Sequence, residues 1–510
     1  MYSHFLPQDI TLLCTSAVLL VLAVLLFLHK HVAAGVVVLT LTAFLLRLTF
    51  CLTDPFLYDW DEQFHALVAR NMTDNPFKPM LYPEPLMPYT VGEWDHNHIW
   101  LHKQPLFLWL IALSVKIGGF TPLAVKMPSL LLSTCMVPAV YRIGKLIYTQ
   151  ATGFYAAMFV AVGFVFVDVV TGITNTDHND VIFSAFVLWS VWAFVEYAAG
   201  QKQKMRVWVA VFAACAVLTK WLPGLLVFGS WGMWLLLTPQ QRRSKQAWKD
   251  LAIAVLLAVA LVLPWQIYIH IVFPEISAYE MRFSALHFTI PIEGHDGPWN
   301  YHLLQLRYNF GDLLAVLFAV GWLLLLVVAR QRALTLALFA MLLVVFVFYT
   351  LAATKMPLFT LPAYALLILG GAALLDLLLR RLAEHRTRSY LVALPLMLLA
   401  AWGVNRLSRL EERHTSLAYP HFIRQQRLHD RVQSYKLKEE LGEGKWAVFG
   451  LQSAQAFYFY TGITAYKLKP DASQIMEIQQ KGWKVAVYDR PGKDTLPEGV
   501  YRIKRRFLEE

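Results

Sequence analysis

Residues 58–72, Tyr-Asp-Trp-Asp-Glu-Gln-Phe-His-Ala-Leu-Val-Ala-Arg-Asn-Met, follow directly on an apolar run that ends near Leu52. Asp59, Asp61 and Glu62 therefore sit where a membrane helix gives way to water. Carboxylates at such a place suit two tasks. They match the positive end of the helix that follows, or one of them draws a proton from a bound reactant as a general base. The spacing alone fits both.

A second acidic group, Asn175-Thr-Asp-His-Asn-Asp180, occupies a short turn between apolar runs. Asp177 and Asp180 are its candidate functional carboxylates, and both residue types are also favoured N-caps for a helix starting near Val181. The candidate cations are Lys103 in His-Lys-Gln-Pro, Lys220 in Leu-Thr-Lys-Trp-Leu-Pro and Lys355 in Ala-Thr-Lys-Met-Pro, joined by Arg282 and Arg307 in the 273–311 loop. A lysine at a helix end often only snorkels to the interface. Three of them on the outer side nevertheless run against the usual placement of positive charge in the cytoplasm, and an anionic lipid headgroup would account for them. His98 and His102 have the i,i+4 spacing of a metal pair on one helix face; simple interfacial histidines account for the same spacing.

Composition dictates the elements that must carry these groups. Hydrophobic residues make up 57% of the 510 positions and charged residues 15%. Apolar runs of roughly 16–26 residues recur along the chain, close to the length that spans a bilayer. They lack the alternation of a barrel, so the expected fold class is an all-α polytopic membrane protein. The runs cover 11–28, 33–52, 122–147, 153–170, 181–199, 207–238, 251–272, 312–328, 333–353, 357–379 and 389–404. Basic clusters fall at Arg142/Lys145, Lys202/Lys204/Arg206, Arg242/Arg243/Lys245/Lys249, Arg330/Arg332 and Arg380/Arg381/Arg386/Arg388. Placing all of them in the cytoplasm makes 104–119 interfacial or re-entrant and 207–238 a hairpin turning near Lys220. About 12–13 transmembrane helices result, with the acidic stretch, the second acidic turn and the three lysines on the outer face.

Four segments are expected: two N-terminal transmembrane helices in 1–52, a first outer loop with the acidic motif and interfacial helices in 53–121, a helical core in 122–404, and a small soluble α/β domain on the outer face in 405–510. Strands are expected at 446–451, 464–468 and 483–488, with helices over 407–441 and 472–481. Residues 11–28 read as an uncleaved anchor. Most of the net charge of +11 sits in short loops, where it sets orientation, so no nucleic-acid partner is implied. The cysteines, Cys14, Cys51, Cys135 and Cys215, lie in or beside apolar runs and give no disulfide framework. A Gly-rich phosphate loop, a Walker motif and a CxxC pair are all lacking.

With these motifs in view, the chain resembles the bacterial GT-C glycosyltransferases related to protein O-mannosyltransferases, the group that includes the lipid A aminoarabinose transferases. The matching features are Asp61-Glu62 with Ala66, Arg70 and Met72; Lys103-x-Pro-Leu-x-x-Trp109; Val125-Lys-Met-Pro-Ser129; Asp177 and Asp180 before a helix; Leu218-Thr-Lys-Trp-x-Pro-Gly224; Leu263-Pro-Trp265; and Lys355-x-Pro. The resemblance implies a GT-C fold and an inverting transfer of a sugar from a polyprenyl-phosphate donor to a lipid, glycan or protein acceptor. It implies a bacterial inner membrane with the site facing the periplasm or cell exterior. On this reading Asp61 is the general base with Glu62 as its neighbour, and Asp177 joins them. Lys103, Lys220, Lys355 and Arg282 bind the donor phosphate, whose growing charge needs fixed cations. Asp180 and Asp59 form the acceptor or second acidic site.

No cofactor is required. In some relatives a divalent metal sits by the first outer loop, and His102 and His287 are the matching positions. The chain departs from the family at His102, where an acidic residue is usual, at Gln104 for a proline, and at Phe359 for a tyrosine. A transporter or flippase of lipid-linked sugars is the alternative; such proteins keep ionisable groups at the bilayer midplane, whereas here they gather at one face.

Overall fold

The computed structural model describes residues 6–507 apart from 89–90, 173–176, 201, 385–389, 406–419, 489–495 and 505. Asn175 and Thr176 of the second acidic turn, Arg386 and Arg388 of the last basic cluster, and the first part of the expected 407–441 helix lie outside the described residues. The chain divides into two compact units, residues 1–53 with 129–410 and residues 54–128 with 411–510.

The first is a helical membrane unit. Among the described residues, eight helices are long and apolar enough to cross a membrane: Pro7–Leu28, Val32–Thr53, Pro122–Ile147, Gln150–Thr171, Asn179–Ala198, Lys245–Val272, Arg332–Leu351 and Leu361–Arg381. A ninth is available if Tyr301–Phe310 and Asp312–Val328, bent by 109°, form one broken span. The protein is therefore a multi-pass membrane protein. The expected total of 12–13 also included the 207–238 hairpin and a crossing over 389–404. The first resolves into the helix Met205–Lys220, a 3-10 turn Leu222–Leu225 and the helix Leu226–Leu237. The second contains the shorter apolar helix Leu394–Asn405. Trp221, at φ 80°, and Pro223 stop the first helix of the hairpin directly after Lys220.

Several buried polar groups inside this unit are paired. Gly163 interrupts the apolar stretch between the helices Gln150–Val162 and Phe164–Thr171. The interruption frees carbonyls, and the fully buried Arg47 donates to those of Val160 (2.9 Å) and Ala161 (3.0 Å). Several bases of the clusters expected in the cytoplasm meet buried acids: Arg142 (2.6 Å) and Lys202 (2.9 Å) on Glu196, Arg206 on Asp250, and Arg380 on Asp376 (2.8 Å). The helices Asp312–Val328 and Leu361–Glu384 approach at Gly321, where an added Cβ would lie 2.0 Å from the Gly370 carbonyl oxygen. Small residues let membrane helices come this close.

The second unit joins the loop that follows the second membrane helix to the C-terminal region. Its helices Asp61–Met72 and Pro105–Gly118 pack through His65 and Phe107, whose rings are 4.7 Å apart. The Asn71 amide ties the loop by donating to the carbonyls of Met80 (2.9 Å) and Leu81 (3.1 Å). The C-terminal part carries a four-stranded parallel sheet of β1 (Trp446–Phe449), β2 (Thr464–Tyr466), β3 (Lys484–Tyr488) and β4 (Tyr501–Ile503), in the order β2-β1-β3-β4. Helices Ala454–Thr461 and Ala472–Gln480 make the crossovers, as parallel pairing requires. Three of these strands and the second crossover helix were expected; β4 and the first crossover helix were not. Tyr466 of β2 stacks on Tyr82 of the loop at 4.2 Å, and its hydroxyl accepts the Leu86 N–H at 3.0 Å.

Candidate functional site

The three carboxylates after the second membrane helix have three different surroundings. Asp59 accepts from the Gln63 amide (2.9 Å) and is paired with Arg427. Glu62 is fully buried, accepts the Tyr58 N–H at 2.5 Å, and lies 3.7 Å from the equally buried Lys126. Lys126 in turn reaches the Asp54 carbonyl (3.4 Å) and stands over the Tyr58 ring. Asp61, the first residue of its helix, keeps a quarter of its side chain exposed and faces Lys103 Nζ at 3.4 Å, with His65 Nε2 at 3.9 Å. Glu62 thus pins the turn, Asp59 anchors it, and Asp61 presents a carboxylate oxygen beside a cation.

Removing one partner of a buried ion pair strands the other. Glu62→Ala should therefore lower folding stability by about 3–5 kcal/mol, read as a drop in melting temperature of the detergent-solubilised protein. An unchanged melting temperature would show that the Lys126 pair holds nothing.

The backbone between Asp59 and Asp61 is strained. Trp60 adopts φ 58°, ψ −123°, close to the first central position of a type II′ turn, where glycine is preferred, and its side chain is 59% exposed. Its ring is 6.4 Å from that of Trp94, on which His102 stacks at 4.6 Å. Strain of this kind costs on the order of 1–3 kcal/mol and gathers at functional sites. Trp60→Gly should raise the melting temperature and at the same time reduce activity, because the direction of Asp61 is no longer held. A variant that melts lower, or keeps full activity, would contradict this.

The helical unit holds the remaining candidates. Asp180 and Asp177 are buried at the start of Asn179–Ala198, where Asp177 Oδ1 accepts the Asn179 N–H (3.3 Å) from one position before the His178 N-cap. Asp180 is paired with Lys220, which also lies 5.1 Å from the Phe359 ring. His287 is 6.4 Å from the same ring. Lys355 is buried with Nζ directed at the carbonyls of Tyr349 (3.2 Å), Thr350 (2.5 Å) and Ala352 (2.5 Å), where it caps the C-terminus of Arg332–Leu351. Burial pushes its pKa below the ordinary lysine value. Its backbone N–H donates to His295 (2.8 Å), and Thr354 N–H to His287 (3.0 Å), so the 287–295 segment and this turn hold one another. Arg282 is exposed on the helix Pro274–Leu286.

The structure thus brings Asp61 to Lys103, and Asp180 to Lys220 near Phe359 and His287. Among the described residues, neither His102 nor His287 belongs to a group of three or more side chains able to ligate a metal. The His102 ring is stacked on that of Trp94. Lys126, Arg427, Trp60 and His65 had no assigned role from sequence. Lys126 was visible as a lone cation inside an apolar run, and Arg427 as one of three arginines at helical spacing.

Comparison with known proteins shows what the chain as a whole is similar to. Residues 102–268 match the family of dolichyl-phosphate-mannose-protein mannosyltransferases. The chain is 24% identical over 365 residues to an undecaprenyl phosphate-alpha-4-amino-4-deoxy-L-arabinose arabinosyl transferase of Pseudomonas savastanoi pv. phaseolicola, covering 69% of this chain and 62% of that one. It therefore spans less than two thirds of that relative's length. The crystal structure of ArnT from Cupriavidus metallidurans in the apo state superposes with a TM-score of 0.63 at 15% identity, over 89% of this chain and 93% of that one. The same protein bound to undecaprenyl phosphate gives 0.62 at 15% identity, over 88% of each. At that identity the superpositions establish the fold. The chain therefore has the GT-C membrane fold, and its family segment and curated relatives make it similar to the ArnT-like group of that fold.

Proposed function

We propose that this protein is an integral-membrane glycosyltransferase. It moves a sugar from a polyprenyl-phosphate-linked donor to a hydroxyl or phosphate of a lipid, glycan or protein acceptor, on the outer face of the bacterial inner membrane. Supporting the donor class, its fold relative binds undecaprenyl phosphate and its curated relative is named for an undecaprenyl-phosphate-linked sugar. The observation that carries the reading is the partly exposed Asp61 carboxylate at 3.4 Å from Lys103, set at the start of a helix by a strained Trp60.

In the reaction Asp61 takes the acceptor proton as the acceptor oxygen attacks the anomeric carbon opposite the phosphate. The new glycosidic bond forms while the bond from the anomeric carbon to the phosphate oxygen breaks, so the configuration inverts. The pair of electrons leaves on the lipid phosphate, whose added charge is met by lysine. Lys103 is the first assigned to it; Lys220, Lys355 and Arg282 are assigned the same phosphate from the sequence reading. No step uses a metal or a nucleotide.

The test is direct. Protein reconstituted in nanodiscs is supplied with undecaprenyl-phosphate-linked sugars and candidate acceptors, and the products are identified by mass spectrometry and by anomeric configuration. Release of undecaprenyl phosphate with an inverted glycosylated product is the expected result. Failure to consume any polyprenyl-linked sugar, or a retained configuration, would reject the reading.

A further inference from the structure

We infer that the helix Pro420–Leu441 is a positioning device for Asp61, acting on the chain segment that leads into it, and that Arg427 is the principal positioning residue. The inference rests on the reading of Asp61 given above. Arg424, Arg427 and Arg431 recur at i, i+3 and i+7, which places them on one helix face. Each takes hold of the 54–59 lead-in. Arg424 Nε meets the buried Asp54 carboxylate at 3.3 Å, and Arg431 donates to the Pro55 carbonyl. Arg427 divides its guanidinium, one nitrogen donating to the Asp59 carboxylate and the other to the Ser453 hydroxyl just after β1. Between these anchors the Leu57 N–H donates to the Tyr460 hydroxyl (2.9 Å), whose ring lies 5.5 Å from the Arg431 guanidinium. Asp54, Pro55, Leu57 and Asp59 are therefore all tied to the C-terminal region.

Stability does not explain the Arg427 contact. Its carboxylate partner is more than a third exposed, and such a pair adds little to folding. The unit has other attachments, among them the Tyr82–Tyr466 stack and the Arg70 donor to the Phe459 carbonyl at 2.7 Å. What Arg427 supplies is geometry. Asp59 is also held by Gln63, and only Trp60, with its left-handed backbone, separates it from Asp61. A shift of Asp59 has one residue in which to be absorbed, and that residue has no conformational slack. Misplacing a reacting group by about 1 Å can cost roughly 100-fold in rate.

The experiment uses full-length protein in nanodiscs with an undecaprenyl-phosphate-linked sugar as donor. Arg427→Gln and Asp59→Asn should each lower kcat about 10–100-fold, with donor KM changed less than about 3-fold and the melting temperature near that of the wild type. The exchange Asp59→Arg with Arg427→Asp should recover at least about 10-fold of the loss. Arg424→Gln serves as the comparator: it leaves the buried Asp54 without its cation, so it should lower the melting temperature more and kcat less. Wild-type kcat in Arg427→Gln, or a loss that only tracks the loss of folded protein, would overturn the inference, as would equal kcat losses in the Arg424 and Arg427 variants. The two readings fail separately: an active Asp61→Asn protein removes the Asp61 assignment, whereas an inactive one beside a fully active Arg427→Gln protein removes only the positioning role.

Discussion

Asp61→Asn protein is expected to insert and fold at wild-type levels and to transfer sugar about 10²–10⁴-fold more slowly, the contribution of a positioned general base. Asn keeps the shape of the side chain and its place at the helix start, but it cannot take a proton. Neither neighbouring carboxylate is placed to substitute. Glu62 is enclosed with Lys126 and bonded to the Tyr58 N–H, and Asp59 is held by Arg427 and Gln63. The corresponding Asp59→Asn change should therefore cost less than Asp61→Asn. Transfer assays on membranes with matched amounts of inserted protein compare the two directly, and full activity of Asp61→Asn would end the assignment.

Lys103→Ala should lower kcat about 10²–10³-fold, the usual cost of removing one donor from a site of developing negative charge. The lysine side chain is largely buried and its ammonium is 3.4 Å from Asp61, so it is already desolvated and needs little reorganisation when a phosphate arrives. Arginine places its charge differently on a wider planar group, and Lys103→Arg should recover only part of the loss. Single-turnover kinetics separate this effect on chemistry from an effect on donor capture. A Lys103→Ala protein with unchanged turnover would move the phosphate to other cations and leave Asp61 untouched.

Hydrophobic length and periodicity made the helices legible, and their bounds sit close to those expected: 11–28 and 33–52 became Pro7–Leu28 and Val32–Thr53. Strands bounded by Gly and polar residues were legible too. Missed features were those that local pattern does not encode. The break at Gly163 is a single residue inside an apolar stretch, recognisable only once Arg47 is seen filling it. The association of 54–128 with 411–510 rests on contacts such as Arg427 to Asp59, 368 residues apart. Spacing placed Asp59, Asp61 and Glu62 together, but their different surroundings come from Arg427, Lys103 and Lys126, drawn from three other stretches of the chain.

The hold of Arg424 on Asp54 spans 370 positions, and that separation sets a clock. During synthesis the lead-in to Asp61 emerges long before the helix that anchors it. At 5–20 residues per second the wait is roughly 20–75 s. Throughout that interval a nascent chain would carry its acidic stretch at the membrane surface with Asp61 not yet aimed. The 424–431 helix must therefore close on a lead-in that has already waited at the membrane without its anchors.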